Sequence, residues 1–199
     1  MDILVYTLLF ITSVAGLGVV IWRAWALRWN AVVPPHLATA VAVCHKEEEF
    51  ENVRKHCELY PSPLGRLLML ADTHSEWPKA DIEGAVETAA RHEIVKLERG
   101  LVVLEIIVGI APLLGLVGTI FGMMTVFGGI GETGLTNVND AAKLAQGISL
   151  ILRTTLIGLL ISIPALVAWS YFSKKVEVLA VEMETLCAEF IRRQKSEPE

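Results

Sequence analysis

Ala111-Pro112-Leu113-Leu114-Gly115-Leu116-Val117-Gly118-Thr119-Ile120-Phe121-Gly122-Met123 lies within an apolar run from Leu101 to Phe127 whose one ionisable residue is Glu105. At about 1.5 Å per residue the run makes roughly 40 Å of helix, enough to cross a bilayer with some tilt or extension. A second run, from Leu144 to Phe172, contains Thr154-Thr155-Leu156-Ile157-Gly158-Leu159-Leu160-Ile161-Ser162-Ile163-Pro164-Ala165. A third, from Ile3 to Trp22, carries no charge. Runs of this length and composition predict an all-α membrane protein with three transmembrane helices.

The composition agrees. Of 199 residues, 53% are hydrophobic and 20% charged, with a mean hydropathy of +0.53, too apolar for an ordinary water-soluble domain. The net charge is -5, and no basic block is present to neutralise a row of phosphates, which argues against nucleic acid as a partner. Cys44, Cys57 and Cys187 are odd in number and lack ligand spacing, so neither a disulfide framework nor a metal site is expected. No cofactor is expected either. The spans offer no nucleophile beside a base, which speaks against an enzyme.

Working outward, the chain divides into a first span over 1–23, a polar helical region over 24–100, spans over 101–127 and 144–172 joined by a loop over 128–143, and a tail over 173–199. Asp2 precedes the first apolar core whereas Arg23 and Arg28 follow it, the reverse of a cleaved signal peptide. Most lysines and arginines lie in the polar region or flank the last span at Lys174 and Lys175, whereas the loop between the last two spans offers Lys143 alone. This asymmetry predicts an N-terminus outside the membrane, with the polar region and the C-terminal tail inside.

Within the polar region, Leu37 to Tyr60 reads as one helix and Leu64 to Ala71 as a shorter one between proline-containing breaks. Asp81 to Arg99 has apolar residues at three- and four-residue steps and is expected to run straight into the second span. His36, His45, His56, His74 and His92 share no ligand spacing and read as surface or interface residues. The tail keeps an apolar stripe through Val176, Leu179, Met183, Leu186, Cys187, Phe190 and Ile191.

Polar groups in hydrocarbon need a reason. Thr119 has two: bonding back to a carbonyl one turn earlier, or facing a pore. Gly115, Gly118 and Gly122 permit close helix approach. Thr155 and Ser162 are seven residues apart and share a face with Gly158 nearly between them. Pro112 and Pro164 each remove a backbone hydrogen bond, freeing a carbonyl for a water or a hydroxyl. Arg153, about two turns into the third span, suits a side chain that snorkels outward. Glu105 suits an inner-mouth carboxylate paired with Lys96 or Arg99. No carboxylate lies at mid-depth, so a titrating group for ion transfer has to come from elsewhere.

The two quoted stretches resemble the signature helices of the MotA/TolQ/ExbB proton-channel family, closest to the ExbB and TolQ branch, over about Leu97 to Lys175. The resemblance implies a homo-oligomeric ring, pentameric in the family, in the bacterial inner membrane. It surrounds the membrane helices of ExbD- or TolR-like single-span partners, which bring a proton-accepting Asp. It implies that Thr119 and Thr155 line the proton path, and that proton flow drives a TonB- or TolA-like envelope protein. Departures are Leu150, where a Glu is frequent in the family, together with Arg153 and Glu105. A non-conducting scaffold and a MotA-like torque generator are the alternative outputs.

Overall fold

The computed structural model describes residues 2–44, 47–133 and 138–195, and the side chains of that set other than those of 2, 29, 47, 48, 130–133 and 138–144. His45, residues 134–137 of the expected loop and the side chain of Lys143 lie outside the described set. The described residues form eight helices and no strand. These are α1 (Asp2–Ala26), α2 (Trp29–Val32), α3 (Pro35–Val43), α4 (Glu47–Leu59), α5 (Pro63–Thr73), α6 (Lys79–Glu98), α7 (Leu101–Thr133) and α8 (Val138–Lys195). Three of them are long and apolar enough to cross a membrane, with candidate spans in Ile3–Ala26, Leu101–Gly129 and Ala145–Lys195. The chain folds as two compact units, Met1–Trp22 with Gly100–Tyr171, and Arg23–Arg99 with Phe172–Glu199.

The first unit is built from α1, α7 and the first part of α8. α1 runs antiparallel to α7, since a side chain added at Gly118 would meet Val5 and one added at Gly16 would meet Ile107. Little of these helices is covered: Ile3 is 84% exposed and Phe10 70%. Exposed apolar faces of that extent need lipid or protein cover in a folded state.

The second unit is an α-helical bundle around the end of α8. That helix, at 58 residues, is about 87 Å long, far more than a bilayer requires. The expected apolar stripe from Val176 to Ile191 is buried at every position named. Phe190 packs edge-on against Phe50 of α4 at 5.4 Å, and Lys195 Nζ donates to the Ser75 carbonyl at 2.6 Å. α5 starts where its sequence says it should: Ser62 caps it by accepting from the Gly65 amide at 3.0 Å, with Pro63 in the first turn. The buried carboxylate of Glu93 takes a fork of hydrogen bonds from Arg66 and one from Lys96, tying α5 to α6. Arg66 first, and then Lys96, holds that carboxyl below the usual range against the opposing effect of burial. Burial pushes the thiols of Cys44 and Cys57 up to about 11, which keeps them protonated and inert.

Two expectations are corrected here. The single helix read from Leu37 to Tyr60 is two helices, α3 and α4. The backbone becomes extended at Cys44, whose buried side chain anchors the turn, and α3 folds back on α4. α6 does not run straight into α7: it ends at Glu98, Arg99 is extended, and Gly100 adopts φ 85°. That conformation is open to glycine at little cost and strained for other residues, so Gly100 is the joint that ends one helix and begins the next.

Candidate functional site

The site is the face along which α7 meets α8, and its register can be read from the glycines. A side chain at Gly147 would meet Val126, one at Gly122 would meet Ile151, one at Gly118 would meet Thr154, and one at Gly158 would meet Ala111. Positions descending along α7 meet positions ascending along α8, so the two helices form an antiparallel pair. Below Gly158, Ile107, Ala111 and Ala165 close the contact as an apolar cluster with Val108 and Ile161.

Contact is closest where the sequence places its smallest residues. A methyl group on Gly115 would lie 2.9 Å from the Thr154 carbonyl oxygen and 2.9 Å from the Thr155 Cα, and one on Gly158 would lie 2.5 Å from the Ala111 carbonyl oxygen. Backbone therefore touches backbone, the arrangement that small residues permit between membrane helices. Gly109, by contrast, has nothing within 4 Å of such a group.

This proximity brings side-chain hydroxyls onto the neighbouring backbone. Thr154 Oγ1 donates to the Gly115 carbonyl at 3.3 Å and to its own helix at Ile151 at 2.7 Å, and Thr155 Oγ1 donates to the same Gly115 carbonyl at 3.2 Å. In a continuous helix that carbonyl also serves the amide of Thr119. The backbone turn that carries Thr119 and the hydroxyl of Thr155 thus share one acceptor oxygen. Thr119 Oγ1 itself donates to the Leu116 carbonyl at 2.6 Å, and the residue is half-buried.

Ser162 resolves the question raised by Pro112. Proline at 112 has no amide to give the Val108 carbonyl, and Ser162 Oγ donates to that carbonyl at 3.4 Å from across the interface, with the residue 8% exposed. Pro164 is exposed on α8, as are Arg153 and Glu105 on their helices. The α1 register places Gly118, next to Thr119, against Val5 in the first turn of α1. By the α8 register, Arg153 stands at the same level.

The sequence presents Thr154 and Thr155 as a pair, with Thr155 the one expected on the path. Thr154 is the more deeply buried, and its signal was adjacency to Thr155 combined with the spacing to Ile151 and Gly158. A cavity of about 160 Å³ opens beside it, lined in part by Tyr6, Gly118, Gly122, Thr125 and Leu150. Leu150 therefore faces this cavity with an apolar side chain.

A family model, that of the MotA/TolQ/ExbB proton channel family, matches residues 62–185, which include all of α7, and α8 as far as residue 185. The chain belongs to that family. It is similar to the biopolymer transport protein ExbB-like 1 of a Synechocystis species, 31% identical over 74% of this chain and 56% of the relative. It is also similar to the Tol-Pal system protein TolQ of Pseudomonas aeruginosa, 37% identical over 57% of this chain and 49% of the relative. The biopolymer transport protein ExbB of Helicobacter pylori is 37% identical over 42% and 56%. The chain spans about half the length of the curated relatives it matches. These likenesses favour the ExbB and TolQ branch, and with the three apolar helices they make this a membrane protein.

Proposed function

We propose that this chain is the ring-forming, channel-lining subunit of a proton-driven stator in the bacterial inner membrane. It works with an ExbD- or TolR-like single-span partner to energise a TonB- or TolA-like envelope protein. The spans over 1–23, 101–127 and 144–172 cross the membrane with the N-terminus and the 128–143 loop periplasmic. The 24–100 region and the 173–199 tail form the cytoplasmic part. A homopentamer fits the family, and a ring covers the apolar faces that the single chain leaves open.

The observation that carries the reading is the meeting of Thr154, Thr155 and the Thr119 turn at the Gly115 carbonyl, within a membrane helix pair. Hydroxyls and backbone carbonyls can pass hydrogen bonds but do not titrate near neutral pH. Such a wall guides a proton or a water file without binding the ion itself. The carboxylate that accepts the proton comes from the partner helix. Thr119 and Thr155 line the route; Ser162 borders it while holding the proline-freed carbonyl of Val108. Arg153 reaches polar surroundings at the periplasmic mouth, and Glu105 stands at the cytoplasmic one.

Proton flux into vesicles carrying this protein with its single-span partner tests the reading. Thr119→Val and Thr155→Val keep the side-chain shape and remove the hydroxyl, and each is expected to lower flux at least about tenfold, the loss of one well-placed polar group. Unchanged flux in both variants, with the complex intact, leaves a non-conducting scaffold as the reading.

A further inference from the structure

The second unit holds a basic pocket that the conduction reading does not use. It has a volume of about 680 Å³ and is lined by Arg28, Asn30, Ala31 and Lys175. Its two cations come from opposite ends of the sequence, yet each stands just past an apolar segment: Arg28 follows the candidate span Ile3–Ala26, and Lys175 follows the buried Phe172. Arg28 is oriented, its guanidinium lying 5.5 Å from the centroid of the Trp25 ring, and Trp25 is 71% exposed. An exposed tryptophan at the end of a membrane helix marks the headgroup level, and a cation over its face is drawn there by the ring quadrupole. Among the described residues, no carboxylate lines the pocket. The neighbouring Lys174 points its charge elsewhere, into an ion pair with Glu177 at 2.8 Å.

We infer that this pocket binds the phosphate headgroup of an anionic membrane lipid. Two cations and a side-chain amide supply donors for phosphate oxygens, the methyl of Ala31 leaves room for the glycerol, and the depth is that of a headgroup. The inference goes beyond the conduction reading and rests on it only for the membrane placement of α1 and α8.

The test is lipid retention by the full-length, delipidated protein, measured by native mass spectrometry after incubation with dioleoyl phosphatidylglycerol and dioleoyl phosphatidylcholine in equal amounts. Wild type is expected to prefer phosphatidylglycerol by about tenfold, from two surface cations acting together. Arg28→Gln with Lys175→Gln is expected to bring the preference to parity, while Lys174→Gln, which removes the same kind of charge one residue away, leaves it unchanged. Helical circular dichroism and the charge-keeping Arg28→Lys variant, expected to retain most of the preference, guard against misfolding. An equal loss in the Lys174→Gln variant, or an undiminished preference in the double variant, overturns the site. Displacement of the lipid by millimolar inorganic phosphate assigns the pocket to a soluble phosphate and overturns the lipid assignment.

Discussion

Replacing Gly158 by alanine is the sharpest perturbation of the helix pair. The new methyl would lie 2.5 Å from the Ala111 carbonyl oxygen, 3.3 Å from the Ala111 carbonyl carbon and 3.3 Å from the Gly115 Cα. Those are backbone atoms, with no rotamer to give way. Relaxing the shortest contact to an ordinary 3.4 Å opens the pair by about 0.9 Å. That movement carries the hydrogen bonds of Thr154 and Thr155 to the Gly115 carbonyl, now 3.3 and 3.2 Å, and that of Ser162 to the Val108 carbonyl, now 3.4 Å, beyond bonding range. Overpacking costs about 1–3 kcal/mol. Three interhelical bonds at about 0.6 kcal/mol each add about 2 kcal/mol. Alanine returns about 1 kcal/mol in helix propensity, so the net expected loss is about 2–4 kcal/mol. Gly109→Ala is the control: the site is open, so only the propensity gain applies and the protein is unchanged or slightly more stable. Reversible unfolding in mixed micelles, followed by far-ultraviolet circular dichroism, measures both. If Gly158→Ala unfolds within about 0.5 kcal/mol of Gly109→Ala, the backbone contact between α7 and α8 is wrong.

The same assay tests the hydroxyl that replaces a missing amide: Ser162→Ala is expected to cost about 1 kcal/mol in the native background and close to nothing once Pro112→Ala restores an amide to the Val108 carbonyl. Additive effects would refute that pairing. The ion pair of the second unit, with Glu93 buried and Arg66 exposed, predicts a pH dependence. Because Arg66 and Lys96 hold the Glu93 carboxyl below its ordinary 4.5, its contribution is complete above that value and is lost as pH falls through the lower, folded one. Unfolding curves from pH 7 downward are expected to show a loss of stability below about 4.5 that Glu93→Gln abolishes, the variant being less stable at neutral pH. A wild type and variant with parallel curves would contradict it.

The three membrane helices were legible because transfer into lipid depends on composition alone, and runs such as Ile3 to Trp22 and Leu101 to Phe127 have no soluble alternative. The apolar stripe from Val176 to Ile191 was legible for a related reason, its helical period being unbroken. The breaks were not. Nothing local distinguishes Cys44 from its neighbours as a turn, because the chain bends there to let α3 pack on α4, a gain made by residues distant in sequence. Gly100 carried a weak signal, since a glycine within a helical pattern costs propensity whether or not it adopts a positive φ.

The site divides along the same line. Small residues at Gly115, Gly118, Gly122 and Gly158 announced a close contact, and Pro112 announced a carbonyl without its donor. Which hydroxyl would meet which carbonyl depended on the register of two helices, a relation between segments that no single segment encodes. Adjacent residues on a helix point about 100° apart, so either of Thr154 and Thr155 alone could have faced α7. Both reach it because Gly115 has no side chain to hold them off. The glycine that lets the helices touch is therefore also the residue whose carbonyl is shared by the turn that carries Thr119 and the hydroxyl of Thr155. Substitutions at Gly115 should disturb packing and conduction together, whereas Thr119→Val should separate them.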